Sequence, residues 1–227
     1  MSRCPADPSL AAIIVCGGRS VRMGTDKASL MFGDETLLQR VCRLTRPAVQ
    51  SVVVVAAQDQ SLPPLSPEIR IIRDQVAGAG PLGGLLTALE ELQQRHRDPD
   101  LKRMAVWLGC CDSPFVNAAV IRELHQRLRR LPSMEAVVVQ HQGRLHPLNA
   151  VYDIRMLPTL RTLFSDGERR MMSLLDQLPV SIVPGSELTA FDPQLRFLEN
   201  VNSPADLDDA WRKWTAEERS SGQRRVH

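Results

Sequence analysis

The amino-acid sequence predicts an α/β fold, a Rossmann-like three-layer α/β/α sandwich with a mainly parallel sheet. The first observation is that apolar runs of strand length alternate with amphipathic segments of helical length. The second is that these runs are almost continuously apolar, which is typical of parallel strands buried on both faces. Because crossovers between parallel strands are right-handed, the intervening helices cover both faces of the sheet.

Five apolar runs are the predicted strands of this sheet. Their bounds are Ala11–Cys16, Ser51–Ala57, Arg70–Ile72, Met104–Gly109 and Ala136–Gln140. Amphipathic segments between them have the periodicity of helices. Their bounds are Thr36–Arg46, Gly84–His96 and Asn117–Arg130. In such a sheet a ligand binds beyond the carboxyl ends of the strands, so the loops that follow the strands are the first candidates for a site.

The last third of the chain has a less regular pattern. "GRLHPLNAVYD" predicts a strand broken at Pro147, and "RFLENVN" predicts a short strand. "SDGERRMMSLLDQL" predicts a helix capped by Ser165 or Asp166. "SPADLDDAW" predicts a final helix with Ser203 at the N-cap and Pro204 at the first helical position.

The chain of 227 residues is expected to form one domain over 10–214, with flexible tails at 1–9 and 215–227. A net charge of +2 is too small to indicate a nucleic-acid or membrane surface. No apolar run approaches about 18 residues, and the N-terminal segment has no apolar core of a secretory signal. We therefore expect a cytoplasmic protein without a nucleic-acid or membrane partner.

The five cysteines are predicted to be reduced thiols. No pair has the C-x-x-C spacing of a zinc or redox site, and the adjacent Cys110 and Cys111 suit neither a zinc site nor a simple disulfide. No histidine stands in a motif that would activate a nucleophilic thiol.

The first predicted strand ends in the loop "CGGRSVRMGTDK", which carries three cations. Gly17-Gly18 lets the backbone turn sharply and brings N–H groups close to an anion. Arg19, Arg22 and Lys27 follow in the same loop. At 4 Å and an effective dielectric near 20, a pair of unit charges interacts by roughly 4 kcal/mol before desolvation. The loop predicts a polyphosphate site, and the alternative is a strand-to-helix turn with solvated cations.

Two other phosphate-binding loops do not fit this segment. A P-loop requires G-x-x-x-x-G-K-[ST], whereas five residues separate Gly18 from Gly24 and Thr25-Asp26 follows. The dinucleotide fingerprint G-x-G-x-x-G also fails, because Gly17 and Gly18 are adjacent. The sequence therefore disfavours a Ras-like NTPase and an NAD-dependent enzyme.

A second glycine-rich loop, "AGAGPLGG", follows Asp74 at the end of the third predicted strand. Its glycines expose backbone that can lie against a planar ligand. An aspartate beside it can accept two N–H donors from one edge of a base, and guanine offers such an edge through N1–H and N2–H₂. The alternative is a flexible loop before a helix.

The fourth predicted strand ends on Asp112 in the segment "MAVWLGCCDSPF". A carboxylate at the end of a buried strand is costly to desolvate unless it meets a cation. Mg²⁺ suits this position, because it takes one or two carboxylates and keeps several waters and phosphate oxygens. The alternative is that Asp112 caps the following helix.

These segments together resemble the molybdenum cofactor guanylyltransferases, a family of MobA-like nucleotidyltransferases. "CGGRSVRMGTDKASL" is similar to the signature L-A-G-G-x-S-x-R-M-G-x-D-K, and the Asp74 loop to D-x-x-x-x-x-G-P-L-x-G. "CCDSPF" resembles P-C-D-T-P-F, and "ENVNSPADL" resembles N-V-N-T-P-E-E-L. The resemblance covers Ala11–Trp211, with the motifs in the family's order. Two departures are Cys16, where alanine is usual, and Val55, where the family often has a nucleotide-contacting asparagine.

The resemblance implies a Rossmann-like, Mg²⁺-dependent enzyme that transfers GMP from GTP to molybdopterin and releases pyrophosphate. The implied catalytic residues are Arg22, Lys27 and Asp112. The implied nucleotide-binding residues are Val15, Cys16, Gly17, Gly18, Lys27, Val55, Asp74, Gly80, Pro81, Leu82, Gly83 and Asp112. The implied Mg²⁺ ligands are Asp112 and Asn202, with Asn200 as a second candidate asparagine. We also expect transient contact with molybdoenzyme maturation proteins.

The acceptor half is assigned by the similarity of "RLHPLNAVYD" and "GERRM" to the family's H-P-x-x-A-L-Y and G-E-R-R-V. It implies that His146, Arg169 and Arg170 bind the anionic pterin, since arginine contacts phosphate in bidentate fashion. The alternatives are a partly buried histidine and a solvated helix start.

Two other functions stay open from the sequence. One is a related transferase with another base or acceptor, such as a molybdopterin cytidylyltransferase or a sugar-phosphate nucleotidyltransferase. Val55 keeps this alternative open, whereas "GPLGG" favours guanine. The other is a nucleotide-binding regulatory protein that has lost turnover, which the presence of Lys27 and Asp112 disfavours.

Overall fold

The computed structural model describes residues 7–16, 26–74, 76, 78–95 and 104–223. The strands in these ranges are β1 (Asp7–Val15), β2 (Met31–Phe32), β3 (Glu35–Thr36), β4 (Val49–Ala56), β5 (Arg70–Arg73), β6 (Ala105–Cys110), β7 (Ala136–His141), β8 (Arg144–Asp153) and β9 (Val180–Pro184). The helices are α1 (Leu37–Thr45), α2 (Gly80–Arg95), α3 (Ala118–Arg130), α4 (Leu157–Ser165), α5 (Met171–Leu175) and α6 (Pro204–Gln223).

The main sheet has seven strands in the order β5-β4-β1-β6-β8-β7-β9. The pairs β1·β4, β1·β6, β4·β5 and β7·β9 are parallel, whereas β8 is antiparallel to both of its neighbours. A separate hairpin is formed by β2 and β3. The predicted mainly parallel sheet between helical layers is confirmed.

The central strand β1 is buried on both faces, as its apolar sequence predicts. Ile13 and Val15 pack in the core that includes residues of α2 and α4. Ile14 and Cys16 pack in the opposite core, which includes residues of α1 and α3. Since successive side chains of a strand point to opposite faces, one apolar run supplies both cores.

Local capping explains where several helices begin. Thr36 and Gln39 form a capping box at the start of α1. The Asn117 side chain accepts from backbone N–H groups at the start of α3. At α6 the Ser203 Oγ accepts from the Asp206 N–H, and the Asp206 carboxylate accepts from the Ser203 N–H. The predicted cap of the last helix is therefore confirmed.

Several predicted elements differ in the C-terminal third. The strand β8 continues through Pro147, but its pairing with β7 shifts register between Val137 and Val139. Ser165 and Asp166 do not cap a following helix; they end α4, where Gly167 adopts a φ of +87°. The next helix, α5, begins only at Met171. Positive φ is a conformation that glycine adopts at low cost, so it ends α4 at this point.

The remaining differences concern element bounds. "RFLENVN" forms a 3₁₀ turn over Arg196–Leu198 instead of a strand. Neither α4 nor β9 is predicted by the apolar pattern, and α2 begins at Gly80, four residues before its predicted start. Regular structure extends into both segments predicted as tails, because β1 starts at Asp7 and α6 continues to Gln223. Within the described ranges no helix is long and apolar enough to span a bilayer.

Candidate active site

The carboxyl ends of neighbouring parallel strands bring the predicted loops to one edge of the sheet. The Cys16 N–H donates to the Val55 carbonyl at 2.8 Å, which joins the ends of β1 and β4. The Cys111 N–H donates to the Val15 carbonyl at 3.2 Å, which joins the ends of β1 and β6. Asp74 directly follows β5, the neighbour of β4. All three loops predicted from the sequence therefore leave the same edge, where doubly wound sheets bind ligands.

The structure describes the first loop only at Cys16 and from Asp26 onward. Gly17, Gly18 and Arg22, which the sequence assigns to the phosphate site, lie outside the described residues. At its far end, the Asp26 carboxylate accepts from the Ala28 N–H at 2.9 Å and caps a 3₁₀ turn over Lys27–Ser29. This turn fixes the backbone of Lys27 at the edge of the sheet.

The Lys27 ammonium lies between Asp112 and Asn202. Its Nζ donates to Asp112 Oδ2 at 2.8 Å and to Asn202 Oδ1 at 2.8 Å. The side chains of Lys27 and Asp112 are 18% and 12% exposed, respectively. The structure thus brings together three predicted site residues that lie far apart in the sequence.

Backbone and side-chain contacts hold the C-terminal segment against the Asp112 turn. The Val201 N–H donates to the Asp112 carbonyl at 2.8 Å, and Ser113 Oγ donates to Asn200 Oδ1 at 2.8 Å. The Asn202 N–H donates to Asp206 Oδ2 at 2.9 Å. These contacts direct Asn202 to Lys27, whereas Asn200 is engaged by Ser113.

The pKa of Asp206 is lowered below its ordinary value, chiefly by the hydrogen bond from the Asn202 N–H. The Ser203 side chain and the Lys27 charge also lower it. A carboxylate at the first turn of α6 also interacts favourably with the helix dipole. The loop between Val201 and α6 is therefore shaped around an ionised Asp206.

The oxygens of Asp112 and Asn202 fit a cation. Oδ2 of Asp112 and Oδ1 of Asn202 converge on one positively charged group, the Lys27 ammonium. In the part of the chain that the structure describes, no group of three or more His, Cys, Asp or Glu residues could hold a metal. One carboxylate and one amide oxygen suit Mg²⁺, which keeps waters and takes phosphate oxygens for the rest of its shell. A Zn²⁺ site closed by protein ligands is not supported by this donor set.

The second loop leads directly into α2. Gly78 and Gly80 have φ values of +75° and +66°, a conformation that favours glycine. Leu82 is fully buried. A Cβ at Gly83 would lie 2.1 Å from the Ala79 Cβ and 3.1 Å from Phe164 Cε2, so the missing side chain allows close packing against α4. In this structure Leu82 and Gly83 are packing residues, whereas Gly80 and Pro81 form the first turn of α2.

Asp74 is oriented by a residue that the sequence does not single out. Its Oδ1 accepts from Thr87 Oγ1 at 3.3 Å and from the Val76 N–H at 3.4 Å. Because Thr87 lies in the middle of α2, the carboxylate is held against the side of that helix. Thr87 carries no motif signal, since a threonine in an amphipathic helix is common.

Val15 and Val55 lie beneath α2 with buried side chains. A Cβ at Gly84 would lie 2.9 Å from Val15 Cγ1 and 3.6 Å from Val55 Cγ1. Gly84 therefore lets the helix lie directly over both valines. The Val55 side chain packs in this core, and its carbonyl binds the Cys16 N–H, so the predicted contact of Val55 with nucleotide stays a prediction without support from side-chain geometry.

The predicted acceptor residues lie in two places, on β8 and in the segment before α5. Arg169 Nη1 donates to the Phe164 carbonyl at 3.0 Å, and its guanidinium lies 3.9 Å from the Phe164 ring centre. The Arg169 carbonyl lies 3.6 Å from the position of a Cβ at Gly80, so Arg169 borders the second loop. His146 lies on β8, where burial, aided by His141 and Arg144, lowers its pKa.

Arg170 already has a carboxylate partner. Its side chain is 79% exposed, and its Nη2 donates to Glu168 Oε2 at 3.0 Å. Arg170 is the main cause that holds the pKa of Glu168 well below its ordinary value, together with Ser173 and the Arg169 and Arg170 N–H groups. An anionic ligand at Arg170 would therefore compete with Glu168.

The four described cysteines are free thiols. Burial raises the pKa of Cys42 to about 12 and the pKa of Cys110 well above its ordinary value. A hydrogen bond with Cys16 and burial raise the pKa of Cys111. The Cys110 thiol donates to Asp112 Oδ1, which orients the second carboxylate oxygen. These cysteines act as small buried groups and not as ionised nucleophiles at neutral pH.

Comparison with known proteins gives concordant matches. The family model described as a MobA-like NTP transferase domain matches residues 12–182. A protein named probable molybdenum cofactor guanylyltransferase from Chloroflexus aggregans is 34% identical over 89% of this chain and 94% of its own. One of the same name from Methanothermobacter thermautotrophicus is 32% identical over 86% of this chain and 95% of its own.

Solved structures share the fold at lower identity. Molybdopterin-guanine dinucleotide biosynthesis protein A from Archaeoglobus fulgidus superposes with a TM-score of 0.73 at 24% identity, over 91% of this chain and 99% of its own. The 2-C-methyl-D-erythritol 4-phosphate cytidylyltransferase from Thermus thermophilus superposes with a TM-score of 0.62 at 16% identity, over 89% and 98%. The fold is therefore shared by proteins whose names specify different bases.

Proposed function

Because the chain belongs to the family of MobA-like NTP transferases, we propose that it transfers GMP from GTP to molybdopterin. The products are the guanine dinucleotide form of the cofactor and pyrophosphate. The observation that carries the proposal is the cation site made by Asp112 and Asn202, with Lys27 between them, at the same edge as the Asp74 loop. The names of the relatives support guanine and molybdopterin as the substrates.

The proposed reaction is an in-line displacement at the α-phosphorus of GTP. An oxygen of the molybdopterin phosphate forms the new P–O bond, and the bond between the α-phosphorus and the bridging oxygen breaks, so pyrophosphate leaves with its electron pair. The attacking phosphate is already ionised, so the step needs no general base. Catalysis then consists of positioning the two anions and neutralising their charge.

Asp112 and Asn202 are the proposed ligands of Mg²⁺, which would supply charge neutralisation at the phosphates. The proposal is supported by the convergence of their oxygens on one cationic group. The Lys27 ammonium carries a second positive charge at the same place, and we propose that it contacts the phosphates of bound GTP. Arg22 is proposed to do the same from the glycine-rich loop.

Asp74 is the residue proposed to recognise guanine. Its carboxylate can accept from both N1–H and N2–H₂ of that base, and Thr87 of α2 orients it. Gly80 and Pro81, at the first turn of α2, are proposed to supply backbone without bulky side chains to the same base. Arg169, Arg170 and His146 are the proposed contacts for the anionic acceptor. Contact with molybdoenzyme maturation proteins stays a prediction.

The test is release of pyrophosphate from GTP, CTP, ATP and UTP by the purified chain with molybdopterin, with and without Mg²⁺. We expect release with GTP, dependent on both Mg²⁺ and molybdopterin. Preferred turnover of CTP would replace the guanine assignment and would favour the cytidylyltransferase alternative. Tight GTP binding without turnover under any of these conditions would refute catalysis and favour a regulatory protein.

A further inference from the structure

A buried arginine on α1 contacts the loop that carries Asp112. Arg40 Nε donates to the Pro114 carbonyl at 2.7 Å, a contact across 74 residues of sequence. Its Nη1 donates to Glu35 Oε1 at 3.1 Å. The guanidinium carbon lies 4.6 Å from the ring centre of Phe32 and 5.1 Å from that of Trp214. Arg40 therefore joins α1, the β2–β3 hairpin, α6 and the Asp112 loop at one point.

The conformation of the loop between β6 and α3 depends on contacts with other parts of the chain, such as that of Arg40. Residues 111–117 have no regular secondary structure, and the backbone bonds next to Asp112 are those of the Cys111 N–H to the Val15 carbonyl and of the Ser113 N–H to the Cys110 carbonyl. The N–H of Val201, in the segment before α6, donates to the Asp112 carbonyl. Arg196 stacks its guanidinium 3.6 Å from the ring centre of Phe115. Arg40 of α1 binds the Pro114 carbonyl in the same loop.

The Glu35 ion pair alone does not explain a buried arginine here. Arg43, one turn later, already donates to Glu35 through Nε at 2.9 Å and Nη2 at 2.5 Å. The Arg43 side chain is 57% exposed, whereas that of Arg40 is 6% exposed. Burial lowers the pKa of Arg40, and a buried charge is costly unless its donors are used. Arg40 differs from Arg43 in its bond to Pro114 and in its contacts with the Phe32 and Trp214 rings. Of these contacts, only the bond to Pro114 reaches the Asp112 loop.

We infer that Arg40 is a positioning residue, which fixes the Asp112 turn so that the carboxylate of Asp112 meets Asn202 and Lys27. The inference rests on the proposed function for its kinetic consequence. A misplacement of about 1 Å at a catalytic group costs on the order of 100-fold in rate. Loss of the Pro114 tether should therefore lower kcat and metal affinity together.

The test compares Arg40→Met with Arg43→Met in the full chain. Both variants remove one arginine from Glu35, but only the first also removes the bond to Pro114 and the guanidinium contacts with Phe32 and Trp214. Hydrogen exchange at 110–116 reports on the Pro114 bond, because the two aromatic rings lie outside that peptide. Three experiments are made on each variant. They are hydrogen exchange of the peptide covering 110–116, a Mn²⁺ titration followed by electron paramagnetic resonance, and steady-state kinetics that give kcat and KM for GTP. All are measured well below the melting temperature of each variant, so that global unfolding does not contribute.

We expect Arg40→Met to exchange faster across 110–116, to bind Mn²⁺ roughly tenfold more weakly and to lose at least about tenfold in kcat. The KM for GTP should change by less than about threefold, because the described contacts of Arg40 do not include Asp74. Arg43→Met should stay within about twofold in all of these. Wild-type exchange and Mn²⁺ affinity in Arg40→Met would refute the inference, whatever the melting temperature does.

These outcomes separate this inference from the proposed function. A wild-type chain without turnover refutes the proposed function, while the exchange and Mn²⁺ measurements still decide whether Arg40 positions the loop. If Arg40→Met does not fold, Arg40→Lys replaces it, because lysine keeps the buried charge but lacks the Nε–H that meets Pro114. A loss of about threefold or more in Mn²⁺ affinity supports the inference in that variant, and wild-type values refute it.

Discussion

Lys27→Met should change metal binding and catalysis in opposite directions. In the structure the Lys27 ammonium occupies the space between Asp112 Oδ2 and Asn202 Oδ1, at 2.8 Å from each. A metal ion that takes these two oxygens must displace the ammonium or share them with it. Methionine has a similar length and carries no charge, so the substitution removes the competing cation and leaves both oxygens in place.

The size of the effect follows from the geometry. At 2.8 Å and an effective dielectric near 20, the Coulomb energy of the Lys27–Asp112 pair is about 6 kcal/mol before desolvation. Because both side chains keep some contact with water, only a fraction survives, on the order of 1 to 2 kcal/mol. Since about 1.4 kcal/mol corresponds to a factor of ten, Mn²⁺ should bind the variant roughly tenfold more tightly in the absence of nucleotide. Turnover should fall by about 100-fold or more, because the charge that faces the phosphates is lost.

The assay is a Mn²⁺ titration without nucleotide, paired with pyrophosphate release under saturating Mg²⁺ and GTP. Lys213→Met is the matched control, since Lys213 contacts Glu199 and Asp209 near the same segment but not Asp112. That variant should change Mn²⁺ affinity by less than about twofold. Weaker or unchanged Mn²⁺ binding in Lys27→Met would refute the idea that the ammonium stands in the metal's place.

The remaining predictions concern other parts of the molecule. Asp112→Asn should lose nearly all Mg²⁺-dependent pyrophosphate release with an unchanged circular dichroism spectrum; near wild-type release would contradict the metal assignment. Asp74→Asn should lower kcat/KM for GTP by about 10- to 100-fold and reduce the preference for GTP over ITP, which lacks the N2 amino group; unchanged selectivity would exclude Asp74 as the guanine reader. Leu89→Ala, at a fully buried position of α2, should cost about 2 to 5 kcal/mol in urea unfolding; a cost below about 1 kcal/mol would contradict tight packing there. The pKa of His146 is lowered by burial, so the unfolded chain binds the proton more tightly and stability falls as the pH drops through about 6.5; His146→Gln should flatten the melting temperature between pH 7 and 5, and an unchanged slope would assign it to other groups.

The parallel part of the sheet could be predicted because its signal is local. A strand buried on both faces must be apolar at nearly every position, so β1, β4 and β6 are visible as uninterrupted runs. The strand β9 is only five residues long and lies between Pro179 and its own Pro184, so its short apolar segment is a weak signal although Val180, Ile182 and Val183 are β-branched. "RFLENVN" has the apolar content of a strand, but Leu195 before it adopts a left-handed conformation and the chain forms a 3₁₀ turn. Tertiary contacts decided these elements.

The candidate site was predictable where a motif stands next to a strand end. Asp112 and Asp74 follow apolar runs, and the parallel topology places both at one edge. The contact between Lys27 and Asn202 joins residues 175 positions apart, and no local pattern contains it. Thr87 and Arg40 look like ordinary polar residues of amphipathic helices. Their contacts with Asp74 and Pro114 depend on how the helices pack.

The separation of 175 residues between Lys27 and Asn202 has a consequence for synthesis of the chain. A ribosome adds roughly 5 to 20 residues per second, and N-terminal segments begin to fold first. The strands β1, β4 and β6 therefore leave the ribosome several seconds before the segment that carries Asn202. Until that last segment docks beside Asp112, a nascent chain has an incomplete cation site. Truncated products that end before residue 202 would lack Asn202, one of the two proposed metal ligands.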